Sequence, residues 1–125
     1  MGGLEVSTSR HERFVVLSLE GDLDDSTVQE AEARILAIVA AGPAPMHIVM
    51  DLTKIGFLTS TGVNLLATAN FTVRSSRGSV RLVVAEGSPP RRVLEFTGVI
   101  RAIATYDSLE QALQPSVRRG PKSPT

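Results

Sequence analysis

Apolar and polar positions change period repeatedly along the chain, and each change marks an element. Leu4, Val6 and Thr8 alternate with polar residues, and residues 14–19 form a β-rich run with Val15, Leu17 and Leu19 on one face. A turn at residues 10–12 lets these two strands pair. Glu20 and Gly21 are expected to end the second strand. Asp24, Asp25 and Ser26 then offer N-cap oxygens, with capping-box spacing from Ser26 to Gln29 and from Thr27 to Glu30. In the helix that follows, Val28, Ala31, Ile35, Ile38 and Val39 fall three or four apart, which makes one apolar face, and Gly42-Pro43 stops it.

Residues 47–52 read H-I-V-M-D-L, a short apolar run without alternation, as expected of a central strand covered on both faces. Thr59, Ser60, Thr61 and Gly62 supply capping hydroxyls to a second helix, in which Val63, Leu66, Ala67, Asn70 and Val73 share a stripe; it ends before Gly78. Residues 80–85 predict another strand. Ser88 caps a third helix with Pro89 at its first position, where the missing N–H costs nothing, and Thr97-Gly98 closes it. Residues 100–106 predict a last short strand, and residues 107–110 cap a final helix that Pro115 terminates. This order implies right-handed crossovers and an α/β fold: a mixed, mainly parallel sheet of four to five strands with about four helices packed on it.

With 125 residues, the chain has room for one core. A domain of this size stays folded without a disulfide or metal, and the absence of cysteine agrees. It also removes thiolate catalysis and Cys-ligated clusters. Thirteen Lys and Arg balance thirteen Asp and Glu, and there are five aromatic residues and no Trp. Neither the basic field nor the stacking residues of most nucleic-acid binders are present, so no nucleic-acid partner is expected. The first thirteen residues lack the apolar core of a signal peptide, and the longest apolar run is seven residues against about twenty for a membrane span. A cytoplasmic protein without membrane association is the expectation.

The neutral total hides a gradient. Residues 1–51 carry a net −6, residues 52–114 a net +3, and residues 115–125 a further +3 from Arg118, Arg119 and Lys122. The Pro-rich composition of 115–125 predicts a disordered basic tail beyond a domain spanning 1–114.

Two loops at the carboxyl ends of predicted parallel strands could carry chemistry, since ligands in such sheets bind there, where the strand order reverses. One is residues 20–25, E-G-D-L-D-D. The other is residues 59–62, T-S-T-G. A helix N-terminus favours a phosphate through its unpaired N–H groups and the positive end of its dipole, so hydroxyls there are credible phosphoacceptors; the same hydroxyls serve equally as plain N-caps. The acidic loop lacks calcium-binding spacing, and no metal site or cofactor is expected. His11 falls in a turn and His47 opens a strand, neither beside a nucleophile elbow. No Walker A or dinucleotide fingerprint occurs. Nothing points to an enzyme.

Five blocks, in order and at matching spacing, resemble the STAS domain family over about residues 4–114, and within it the small bacterial anti-sigma factor antagonists. Residues 17–24, L-S-L-E-G-D-L-D, resemble the family's strand and G-x-L-D. Residues 49–58, V-M-D-L-T-K-I-G-F-L, resemble its central strand. Gly62-Val63-Asn64-Leu65-Leu66, residues 88–99 and residues 107–113 (D-S-L-E-Q-A-L) resemble later blocks.

The resemblance implies a partner switch. In that family the unmodified antagonist binds an anti-sigma factor that is also a serine kinase. The kinase phosphorylates the antagonist in a D-S-S-G motif, and a phosphatase restores it. Carried onto this chain, the acceptor is Thr61, with Ser60 as second choice. The partner-binding set is then Asp22, Asp24, Thr59, Ser60, Gly62, Val63 and Asn64, with Gly62 letting the kinase approach the backbone. Thr59 stands where the family has aspartate and Thr61 where it has serine. The alternative is a constitutive STAS interaction or scaffold module in which the 59–62 loop is only a helix cap.

Overall fold

A computed structural model describes residues 3–115. The strands are β1 (Leu4–His11), β2 (Phe14–Leu23), β3 (His47–Leu58), β4 (Ser79–Val83) and β5 (Ala104–Tyr106). The helices are α1 (Val28–Ala41), α2 (Ser60–Ser75), α3 (Pro89–Thr97), α4 (Val99–Ala102) and α5 (Leu109–Ala112). Five strands form one sheet in the order β1-β2-β3-β4-β5, with β1 antiparallel to β2 and all other neighbours parallel.

The mainly parallel α/β sheet is as expected, but its order runs straight through. No reversal of strand order exists to create a crevice, and right-handed crossovers therefore stack their helices on one face. Leu17, Leu19, Ile48, Met50 and Leu82 form the core beneath this layer with Ile35 of α1, Leu66 of α2 and Leu94 of α3. The opposite face holds a smaller cluster of Phe14, Val16, Val49 and Val83, covered by Ala112 of α5. This two-sided burial accounts for the unalternating run that opens β3.

Several features differ from expectation, among them the β1-β2 turn, which lies at residues 12–13 because Arg10 and His11 pair with Val15 and Phe14, and β4, which ends at Val83. Residues 100–106 are not one strand: α4 takes Val99–Ala102, and only Ala104–Tyr106 pair with β4. The α2 stripe is rotated, because Leu65 and Ala69 are buried where Ala67 is exposed. Most consequentially, β2 and β3 run on to Leu23 and Leu58 instead of ending near Gly21 and Leu52. Gly21 permits this with a φ of 124°, and a Cβ there would lie 2.0 Å from the Gly3 carbonyl oxygen. The expected tail at 115–125 lies, apart from Pro115, outside the described residues.

Candidate functional site

The extension of β2 and β3 builds the site. Pairing between β3 and β4 stops at Asp51 and Val83, whereas β2 and β3 stay paired as far as Leu23 and Leu58. Two register shifts, between Ser18 and Glu20 and between Gly21 and Asp22, absorb two additional residues in β3. Such bulges re-aim the strand and explain why Leu52, Ile55 and Leu58 are buried at a spacing of three rather than two. The result is a ribbon projecting beyond the end of β4, in which β1 accompanies β2 as far as Gly21, and it carries both candidate loops side by side.

The loops are joined. The Thr59 N–H donates to the Leu23 carbonyl at 3.1 Å. The Thr59 and Thr61 hydroxyls lie 2.9 Å apart within hydrogen-bond distance, and the Thr61 hydroxyl donates to Asp25 Oδ1 across the gap. Thr59 is the N-cap residue of α2, yet its side chain makes no cap bond; its hydroxyl faces Thr61 instead. The first turn of α2 therefore lacks the usual side-chain capping oxygen from its N-cap residue.

The acidic loop is also held differently from the capping expectation. Asp24 Oδ1 accepts from the Ser26 N–H at 2.9 Å and from the Ser26 hydroxyl at 2.7 Å. The Ser26 hydroxyl first, and then its N–H, hold the Asp24 carboxyl below its usual range, so it is ionised at neutral pH. Thr27, the N-cap of α1, turns its hydroxyl back to donate to the Asp22 carbonyl at 2.8 Å and to accept from the Asp24 N–H at 3.0 Å. Neither capping box forms, because both hydroxyls stabilise the turn that precedes the helix.

Among the expected site residues, Ser60 and Asn64 are exposed, and Asp22, Asp24, Thr59 and Thr61 are half-buried around the loop pair. Gly62 and Val63 are buried. A Cβ on Gly62 would lie 2.8 Å from both the Leu23 carbonyl oxygen and Leu58 Cδ1. Its role in this structure is therefore to seat the first turn of α2 on the ribbon. The expected site lacked Asp25, the residue that touches the Thr61 hydroxyl. Its signal was present, four acids in the six residues 20–25, but the run alone does not say which one faces Thr61. Phe57, paired with Asp22 on the ribbon and 59% exposed, adds an apolar surface beside the loops.

His11 ends β1 exposed to solvent, and His47 Nδ1 lies 2.8 Å from Ser79 Oγ at the opposite end of the sheet. Among the described residues no three His, Cys, Asp or Glu side chains are placed to hold a metal ion. No described helix is long and apolar enough to cross a membrane.

Residues 5–112 match the family described as the STAS domain. This chain belongs to the STAS domain family. It is 32% identical over 111 residues to the anti-sigma-F factor antagonist RsfB of Mycobacterium tuberculosis, spanning 88% of this chain and 87% of that protein. The crystal structure of an anti-sigma factor antagonist from Mycobacterium paratuberculosis matches with a TM-score of 0.79 at 29% identity, over 89% of this chain and 92% of the other. The anti-sigma factor antagonist SpoIIAA in its unphosphorylated form shares the fold, with a TM-score of 0.71 at 23% identity over 87% of this chain and 93% of that one. Within this STAS domain, the resemblance first visible in the G-x-L-D and D-L blocks corresponds to the ribbon that carries the two loops.

Proposed function

We propose that this STAS domain is an anti-sigma factor antagonist that works as a partner switch: it binds an anti-sigma factor while the 59–62 loop is unmodified and is released when Thr61 is phosphorylated. The observation that carries this reading is the position of the Thr61 hydroxyl. It sits at the junction of the two loops on the projecting ribbon, bonded to the Asp25 carboxylate. The antagonists of Mycobacterium tuberculosis and Mycobacterium paratuberculosis, to which the chain is similar, support the choice of partner.

In this account Asp22, Asp24, Thr59, Ser60 and Asn64 face the partner, Phe57 supplies an apolar anchor, and Gly62 and Val63 hold the surface from beneath. The protein is a cytoplasmic substrate rather than an enzyme; ATP belongs to the kinase, and a phosphatase resets the switch. A phosphate on Thr61 removes the proton donated to Asp25 and adds a charge of about −1.5 to −2 beside Asp24 and Asp25. An interface formed around a neutral hydroxyl must then bury a dianion among carboxylates. A ten-thousandfold loss of affinity corresponds to only about 5.5 kcal/mol, which one desolvated dianion can supply.

Titration calorimetry with the cognate anti-sigma factor tests the reading. Thr61→Ala is expected to bind like the parent and to take no phosphate from kinase and ATP, whereas Thr61→Glu binds more weakly. Unimpaired binding by Thr61→Glu, together with parent affinity that ATP does not change, would leave the constitutive scaffold.

A further inference from the structure

The five-stranded sheet has two edges. One is β5, only three residues long; the other is β1, which runs for eight residues and pairs with β2 alone. Its register with β2 is unbroken from Leu4 opposite Gly21 to His11 opposite Phe14. The strand carries no proline, no lysine and no bulge, the devices by which exposed edges usually turn away a further strand.

One hydrogen bond fixes the direction of its free backbone groups. The Asp22 N–H donates to the Gly3 carbonyl at 3.1 Å, so Gly3 faces β2. Residues of an antiparallel strand alternate between facing the neighbouring strand and turning away from it. Leu4, Val6, Thr8 and Arg10 therefore turn their N–H and C=O groups to the open edge. Their side chains share the helix-bearing face, on which Leu4 and Val6 pack against the core, while Glu5, Ser7, Ser9 and His11 are exposed on the other face. Beside the edge, a cavity of about 280 Å³ between β1 and α1 is lined by Leu4, Val6, Glu30 and Arg34 among others. Arg10 and Glu30 are both exposed, and among the described residues neither has an ion-pair partner.

We propose that two copies of this chain associate through β1, strand against strand in antiparallel register about a two-fold axis, joining two five-stranded sheets into one. Such an axis stands perpendicular to the sheet, so one residue must lie opposite its own copy. Centring on Ser7 sets Leu4 opposite Arg10 of the second copy and Val6 opposite Thr8, which pairs every outward-facing residue of the strand. Centring on Val6 or Thr8 instead leaves Arg10 or Leu4 facing no strand. Ser7 suits the centre, because the Cα atoms of a non-hydrogen-bonded pair come within about 4.5 Å and a small side chain fits there. The same register brings opposite charges together. Arg10 of one copy lies over Leu4 of the other, at the cavity that Glu30 also lines, and the symmetry makes this pair twice. On the other face Glu5 lies opposite Ser9 and diagonal to His11 of the second copy, about 7–8 Å away and within reach of a long side chain. An extended peptide of arbitrary sequence would pair the same backbone groups but leave Arg10 and Glu5 unanswered.

The chain contains no cysteine, so introduced thiols read the register directly. Ser7→Cys and Ser9→Cys both alter exposed positions on one face. In the proposed dimer the two position-7 side chains meet at the axis, within the Cα separation of about 4.4–6.8 Å that a disulfide spans. The two position-9 side chains lie four residues apart along the strands, about 13 Å. Under mild oxidation Ser7→Cys is expected to form a covalent dimer about tenfold or more faster than Ser9→Cys. Sedimentation velocity on the parent chain is expected to show monomer giving way to dimer as concentration rises through the micromolar range. Thr8→Pro removes an outward N–H and no bond to β2, and is expected to abolish the dimer at an unchanged melting temperature. Arg10→Glu is expected to weaken association about tenfold or more, and Arg10→Glu with Glu30→Arg to restore it; this exchange decides the matter should Thr8→Pro disturb the fold. The proposal is overturned by a monomer at millimolar concentration, by equal cross-linking at positions 7 and 9, or by Arg10→Glu associating like the parent. No anti-sigma factor enters the measurement, so its outcome is independent of the partner switch.

Discussion

At the scale of single residues, the site depends on two contacts that composition could not assign. Four acids precede α1, and the G-x-L-D pattern singles out Asp22 and Asp24, yet the one that meets the Thr61 hydroxyl is Asp25. Asp24 is occupied by Ser26, and the Asp22 carbonyl by Thr27. Which carboxylate faces the other loop is decided by how the turn folds, and sequence spacing carries no record of that. Gly62 was legible as important, and the structure adds a packing reason that spacing does not show. It allows the first turn of α2 to lie against Leu23 and Leu58. Gly62→Ala is expected to overpack this contact, lowering stability by about 1–3 kcal/mol in urea denaturation. Because the helix start must move, affinity for the anti-sigma factor should fall as well, although residue 62 itself is buried.

At the scale of elements, strong punctuation was readable and gradual change was not. Ser88 and Ser108 cap α3 and α5 by accepting from Arg91 and Gln111, as their spacing before Pro89 and Leu109 implies. The far halves of β2 and β3 escaped notice because bulges break the period of two: Leu52, Ile55 and Leu58 do not alternate, and Gly21 resembles a terminator. Similarly, α4 is one turn inside an apolar run whose composition suits a strand equally well. The covering of the second sheet face depends on one long-range interaction. Arg81 ties β4 to the carbonyls that end α5, and its two neutral-to-charged hydrogen bonds are worth about 1.5–3 kcal/mol each before the cost of burying the cation. Arg81→Ala is expected to cost about 3 kcal/mol in urea denaturation, with Arg81→Lys intermediate because an ammonium can still donate to the carbonyls but lacks the planar guanidinium that lies over the Phe14 ring. Neither change should alter affinity for the anti-sigma factor, whose proposed surface lies at the other end of the sheet.

At the scale of the whole molecule, a formally neutral chain is polarised. Carboxylates gather at the carboxyl end of the ribbon, and guanidinium groups that have no acidic partner among the described residues gather at the amino ends of β3 and β4. The acidic pole was visible as a local run of sequence. The basic pole was not, because Arg13, Arg74 and Arg81 come from three separate elements and only the parallel sheet brings them together. The sheet's straight strand order removes the crevice on which many α/β proteins build a site, and the projecting ribbon takes its place. That ribbon makes one prediction central. The purified protein should be incubated with its cognate anti-sigma kinase and ATP, its intact mass measured, the modified residue mapped by fragmentation, and affinity compared before and after. The account predicts a single phosphate on Thr61 and a loss of affinity of about a thousandfold or more, equivalent to roughly 4 kcal/mol. An unmodified protein, with no phosphate on Thr61 or Ser60 and the same affinity in the presence of ATP, would contradict it.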